Sequence, residues 1–311
     1  MPRRSSRRWL SLTCCLWSTS ALATVDELQV AEIAPGVFLH EGAQEAASPQ
    51  NGGHIANLGF IVGTERVAVI DSGGSFQEGM ALRRAVRRVT QLPIAYLILT
   101  HVHPDHTLGA AAFAQDGVEI IGHENLADAQ ARRGAFYLAR AMELLGAQAE
   151  GTRVVMPTVG VQAGAPRLLD LGGRTLKVRA YPTAHTNNDL SVFDDATGTL
   201  WLSDLLFVQR IPVVDGSLLG WLSVMDDLAK SEARRVVPGH GSVPADWHDA
   251  LARQRSYLET LATGIRRELR RGGDINQAVQ TVGQEERGRW LLFDEYHGRN
   301  VTAGFVELEW E

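Results

Sequence analysis

From residue 27 to residue 71, apolar positions come in short runs separated by turn residues: 28–33, a Pro35-Gly36 turn, 37–40, then 58–62 and 67–70 joined by Gly63-Thr64-Glu65-Arg66. That rhythm predicts a set of short antiparallel strands. Over 76–90 the period changes. Met80, Leu82, Ala85, Val86 and Val89 recur at helical spacing with arginine pairs between them, which predicts an amphipathic helix. An apolar strand at 94–100 follows, then a helical stretch at 106–114, a strand at 118–121, and a long helical stretch at 125–149 interrupted near Gly134. Residues 150–166, with Gly151, Pro157, Gly160, Gly164 and Pro166, predict a long loop.

The second half repeats the grammar. Apolar strands at 168–169, 175–180, 190–193 and 200–203 surround a hairpin turn at 194–198, followed by a helix at 218–230, a strand at 235–237 and helices at 245–271 and 274–282. Two such halves predict two sheets packed face to face with helices outside, as one domain over 24–311 that ends in a helical region.

The first 23 residues break this pattern. Arg3, Arg4, Arg7 and Arg8 precede an uncharged stretch, 9–22, that ends in Ala21-Leu22-Ala23, the layout of a signal peptide. The apolar part is too short and too rich in Ser and Thr for a permanent membrane anchor. Export to the periplasm or secretion is the expectation. Ser6-Arg7-Arg8-Trp9-Leu10 also resembles a twin-arginine signal imperfectly, so that route and ordinary secretion both stay open. The leader carries four arginines and no acid, so its removal makes the chain more acidic than its formal −6. No concentrated Lys and Arg surface remains to hold phosphates, which disfavours a nucleic-acid partner. Both cysteines, Cys14 and Cys15, lie in the leader, so the mature chain has neither thiol nor disulfide.

The chemistry concentrates in His101-Val102-His103-Pro104-Asp105-His106, four metal-ligating side chains within six residues after a buried strand. Three imidazoles and a carboxylate brought together in an apolar setting require a cation to organise them. His185, Asp204, His240 and Asp71 likewise close apolar runs. Singly, each has an ordinary explanation: a turn residue, a helix cap, a loop residue and the Asp of a Ser-Gly-Gly turn. Occurring together with the first cluster, they predict a shared site. A metal pair with imidazole and carboxylate donors lowers the pKa of bound water to about 7, giving a nucleophile without Ser or Cys.

In this order, His-x-His-x-Asp-His, a lone His, an Asp and a final His, the residues resemble the metallo-β-lactamase superfamily across nearly all of the mature chain. The resemblance implies an α+β fold, a four-layer αββα sandwich of two mixed sheets. It implies that His101, His103 and His185 hold one zinc ion, that Asp105, His106 and His240 hold a second, and that Asp204 bridges both. Asp71 is similar to the superfamily's buried aspartate that holds the ligand loop without touching metal. Asp105 is expected also to orient the attacking hydroxide or move its proton. The common subgroup of true β-lactamases has Cys where this chain has Asp204, so esters, thioesters or lactones are the expected small-molecule substrates and β-lactam cleavage a lesser alternative.

A narrower resemblance is carried by 51–60, by Ile70-Asp71-Ser72-Gly73-Gly74 and by Asp294-Glu295-Tyr296-His297-Gly298-Arg299-Asn300-Val301, which look like the quinoprotein relay system zinc metallohydrolases, SoxH-like. That family is exported, which implies work beside periplasmic PQQ-dependent alcohol dehydrogenases. Two alternatives remain: a mononuclear iron oxidoreductase of persulfide-dioxygenase type held by His101, His185 and Asp204, and a noncatalytic protein that binds a quinoprotein. Near the expected site, His54 is a substrate contact or a surface loop residue, and His123 a pocket residue or a flank of the next helix. Asn187, Asn188 and Asp189 are substrate ligands or a turn. The helical stretch bearing Phe136, Tyr137, Leu138 and Met142 is a cover for the site or plain core.

Overall fold

The computed structural model describes residues 27–114 and 117–311; the leader at 1–23 and its cysteines lie outside the described residues. Strands β1 (Ala31–Ala34), β2 (Val37–His40), β3 (Leu58–Val62) and β4 (Val67–Ile70) pair antiparallel in succession. Strands β5 (Ile94–Ile98), β6 (Glu119–His123) and β7 (Val159–Val161) extend the same sheet in parallel. The second sheet orders β8 (Arg167–Asp170), β9 (Thr175–Ala180), β10 (Leu190–Asp194), β11 (Thr199–Phe207) and β12 (Arg235–His240), antiparallel except for the β11–β12 pair. Both sheets are therefore mixed, as expected from the four-layer α+β reading.

Alternation along the strands decides which layer each side chain joins. In β4, Ala68 and Ile70 face the second sheet, where Val178, Val192, Trp201 and Val237 meet them in the central core. Val67 and Val69 face outward and are covered by α1 (Phe76–Val89) through Leu82 and Val86. Ser75 caps α1 by accepting from the Glu78 amide, and Arg87 and Arg88 in its last turn suit the negative end of the helix. Next come α2 (Pro104–Thr107) and α3 (Leu126–Leu145). On the far side, α4 (Leu218–Leu228), α5 (Trp247–Arg270), α6 (Ile275–Thr281) and α7 (Phe293–Leu308) close over Leu200, Leu202 and Val236. No helix among the described residues is long and apolar enough to cross a membrane.

Four local expectations are corrected. Helix α3 runs unbroken through Gly134, because that glycine marks close packing: a Cβ there would lie 2.9 Å from Val154 Cγ2. The stretch 150–166 is not loop throughout, since Val159–Val161 pairs with β6 as an edge strand too short to carry a periodic signal. The helical segment expected at 106–114 divides into α2 and a 3-10 turn at Leu108–Ala112. Strand β11 extends past Ser203, whose φ of 49° bends the chain where the pairing with β12 shifts register. Asp204 therefore sits within a wholly buried strand, and His240 is likewise the last residue of β12.

Trp201 is fully buried where the sheets meet. Replacing it with Ala is expected to lower unfolding free energy by about 3–5 kcal/mol in urea titration, because the cavity lies between two sheets that cannot close on it.

Candidate metal centre

The ends of four buried strands meet at one edge of the sandwich, and an oxygen of a side chain or of the backbone holds each histidine there. Asp71 follows β4 and accepts from the Thr100 amide (2.8 Å), the Thr100 hydroxyl (2.8 Å), the Ser203 hydroxyl (3.2 Å) and His106 Nδ1 (2.8 Å). It is fully buried and holds the loop that carries His101 to His106. His240 Nδ1 donates to Ile55 O at 2.8 Å. Beside it, Asn57 donates to Pro238 O (2.9 Å) and Gly241 O (2.7 Å), so the segment ahead of β3 clasps the end of β12. His185 Nδ1 donates to Val213 O at 2.7 Å, and His103 Nε2 to Asp215 Oδ2 at 3.0 Å. Thr100 Oγ1, already donating to Asp71, accepts from His101 Nδ1 at 3.1 Å.

With one nitrogen of each ring committed outward, the other faces inward as a lone pair. His101 Nε2, His103 Nδ1 and His185 Nε2 converge at 2.9–3.0 Å; burial would lower the His185 pKa, but Asp204 beside it raises it. Burial, with the neighbouring imidazole of His106 next, pushes His101 well below the usual histidine pKa, and burial also lowers His103 against the pull of Asp215. Asp204 Oδ2 lies 3.6 Å from His101 Nε2 and 3.3 Å from His185 Nε2. On its other side, its oxygens lie 3.2 Å from His106 Nε2 and 3.4 Å from His240 Nε2. Burial would raise the Asp204 pKa, but His240, His106 and His101 hold it well below the usual carboxylate range. Two donor groups result: His101, His103, His185 and Asp204 in one, and Asp105, His106 and His240 in the other, each with ligand atoms within 4.8 Å of one another.

The residues fit bound metal on structural grounds. His106 Nε2 and Asp204 Oδ1 are buried without any hydrogen-bond partner, which in an apolar interior costs about 1–3 kcal/mol for each neutral group and more for a charged one unless a cation takes them up. Gly239 is shaped around the same carboxylate, since a Cβ there would come within 1.8 Å of Asp204 Oδ1. Nitrogen and oxygen donors without sulfur suit zinc, among other divalent ions.

The family model of the metallo-beta-lactamase superfamily matches residues 51–240. The chain belongs to the metallo-beta-lactamase superfamily. Among solved structures it is similar to a metallo-beta-lactamase from Pontibacter korlensis, at 18% identity over 75% of this chain and 99% of that one with a TM-score of 0.59. It is similar also to TMB-1, at 20% identity over 75% and 97% with a TM-score of 0.58, and to a metallo beta lactamase from Hirschia baltica, at 17% over 75% and 97% with a TM-score of 0.58. These likenesses bear on the fold. No curated protein matches the chain.

A cavity of about 820 Å³ opens onto both donor groups and is lined by Asp105, His103, His185, Asp204 and His240. Helix α3 forms one wall with Arg133, Phe136, Tyr137 and Leu145, so part of the expected cover is there, whereas Leu138 and Met142 do not line it. His54 does not line it either; its neighbours Gly53 and Ile55 do, and burial holds the His54 pKa at about 4. His123 donates to Tyr181 O or accepts from the Asn125 amide according to ring nitrogen, so it flanks the start of α3. Asp189 accepts from the Thr186 amide and hydroxyl, closing a buried turn, and burial raises its pKa to about 6.

Several residues at the site escaped the sequence reading. Asp215 receives His103 Nε2 and also pairs with Arg133 from α3; burial would raise its pKa, but those two donors bring it to about 2. Arg210 carries no local motif that marks it, and Asn57 lies within the 51–60 stretch, whose sequence does not reveal its bonds to the end of β12. Tyr296 and Arg299 stand three apart in the 294–301 motif, and both line the cavity, while His297 and Asn300 bond to Val282 O and Pro212 O and hold α7 in place.

Gly239→Ala is expected to press on both the Asp204 carboxylate and the backbone at Ser203 and Asp204, and to weaken metal affinity by about 10- to 100-fold in a chelator competition on protein that circular dichroism shows to be folded. Unchanged affinity would mean that the carboxylate is not a ligand.

Proposed function

We propose that this chain is an exported, binuclear zinc hydrolase of esters, thioesters or lactones, working in the periplasm beside PQQ-dependent alcohol oxidation and related to the SoxH-like quinoprotein relay hydrolases. The observation that carries the hydrolytic part is the pair of donor groups opening onto one cavity, with the Asp204 oxygens 3.2–3.6 Å from histidines of both. His101, His103 and His185 would hold one ion, Asp105, His106 and His240 the other, with Asp204 between them. Two bound ions would lower the pKa of a coordinated water to about 7 and polarise a carbonyl oxygen.

The chain's own residues supply the rest. Asp105 lines the cavity with its Oδ2 3.4 Å from His240 Nε2 and 3.8 Å from His106 Nε2, which suits it to hold or pass the proton that a water gives up. Asp71, Asp215 and the carbonyls of Ile55 and Val213 fix the imidazole tautomers, so no ring has to turn during turnover. Phe136 and Tyr137 line the cavity and offer aromatic surface to the apolar part of a substrate. The second donor group supports two ions over one, and hence hydrolysis over mononuclear iron chemistry. Asp204 in place of a cysteine supports general acyl substrates over β-lactams.

Zinc-loaded protein is expected to hydrolyse members of an ester, thioester and lactone panel, with His103→Ala losing bound metal and at least about 100-fold in kcat/KM together. Recovery of one tightly held ion, with His106→Ala and His240→Ala both harmless to turnover, would contradict the binuclear reading.

A further inference from the structure

Two of the three histidines in the first donor group take their outer partner from one stretch of chain, residues 212–217, which belongs to no strand or helix. Val213 O accepts from His185 Nδ1 at 2.7 Å, and Asp215 Oδ2 from His103 Nε2 at 3.0 Å. The same stretch grips the backbone beside His185: the Asp215 amide donates to His185 O at 3.1 Å and the Ser217 amide to Ala184 O at 2.9 Å. Gly216 lies close against that backbone, since a Cβ there would come within 2.5 Å of Ala184 O. An irregular segment without a sheet ladder needs other polar partners to hold one conformation.

Helix α7 supplies them from behind. Asn300 is wholly buried; its Oδ1 accepts from the Val214 amide at 2.9 Å and its Nδ2 donates to Pro212 O at 2.7 Å, so one side chain clasps the chain on both sides of Val213. Nδ2 also donates to Tyr257 OH at 3.0 Å, that hydroxyl donates to His297 Nδ1 at 3.1 Å, and His297 Nε2 donates to Val282 O at 2.8 Å. The relay leaves the Asn300 amide one workable orientation. About two turns further along α7, Glu307 accepts from the Ser217 hydroxyl and the Leu218 amide, each at 2.6 Å, and from the Leu219 amide at 3.3 Å. Both ends of the stretch are thus fastened to one helix. Neither Asn300 nor Glu307 lines the cavity, and α7 lies beyond the residues 51–240 that the superfamily model matches.

Resting on the metal reading of the donor groups and not on hydrolysis, we propose that Asn300 and Glu307 are positioning residues for the first donor group: through 212–217, α7 sets the aim of His185 and His103. The second donor group is independent of this brace, because His106 and His240 take their outer partners from Asp71 and Ile55 O. Outer partners of metal-ligating imidazoles fix ring orientation, and their loss costs affinity without removing a ligand.

The test combines NMR of the full chain carrying isotope-labelled histidine with chelator competition for zinc. Wild type is expected to show hydrogen-bonded ring N–H signals from His185 and His103, with and without zinc, and to release zinc in two steps. Asn300→Ala is expected to shift or broaden those signals, to spare those of His106 and His240, and to weaken one zinc step by about 10- to 100-fold with the other unchanged. Glu307→Ala is expected to weaken the same step several-fold, and Glu307→Gln, which keeps an acceptor oxygen, to recover most of that loss. Val301→Ala, equally buried and next along α7, controls for stability alone: its urea midpoint falls while ring signals and zinc steps stay. Unmoved signals and zinc steps in Asn300→Ala, both steps weakened alike, or the same selective loss in Val301→Ala overturns the proposal. Should Asn300→Ala not fold, unmoved zinc steps in Glu307→Ala, at a part-buried position, overturn it instead. The ring signals need no metal, so the two readings separate: a wild type that binds no zinc, yet loses the His185 signal on Asn300→Ala, counts against the metal centre and leaves the brace standing.

Discussion

One buried carboxylate ties the whole site together. Asp71 leaves β4 with a φ of 58°, a left-handed conformation that Asp tolerates better than most residues, and this turns its side chain under the ligand loop. Four donors converge on it, and they come from both sheets: Thr100 and His106 from the loop after β5, and Ser203 from β11 next to Asp204. Taking away one partner of such a buried group leaves the others uncompensated, at a cost of about 3–5 kcal/mol by analogy with buried pairs. The position of one half of the ligands relative to the other therefore depends on this junction.

The same logic recurs around the centre. Each imidazole has its outer nitrogen committed to an oxygen of the framework, and burial suppresses protonation of the inner nitrogen of His101 and His103. The protein thus keeps lone pairs aimed at one another, an arrangement unfavourable in itself and favourable only around cations. Metal binding and the stability of this edge of the sandwich are consequently coupled. Asp204 makes the coupling mutual, because one strand residue approaches both donor groups.

Much of this was legible in the chain. The run from His101 to His106 announces its chemistry by composition alone, and the unbroken apolar runs of β3 and β4 mark strands buried on both faces. What stayed hidden has physical reasons. Strand β7 is three residues long and pairs on one side, so it leaves no periodic trace. Gly134 looks like a helix breaker, but its role depends on Val154, whose proximity only the fold reveals. Asn57 and Gly239 work through contacts with residues distant in the chain, Asn57 across more than 180 positions, and no local pattern encodes such a contact.

Anomalous diffraction at the zinc edge from crystals of zinc-loaded protein tests the central claim most directly. Two peaks are expected, one among His101, His103 and His185 and one among Asp105, His106 and His240, with Asp204 between them. A single peak, or none within these residues, would contradict the account.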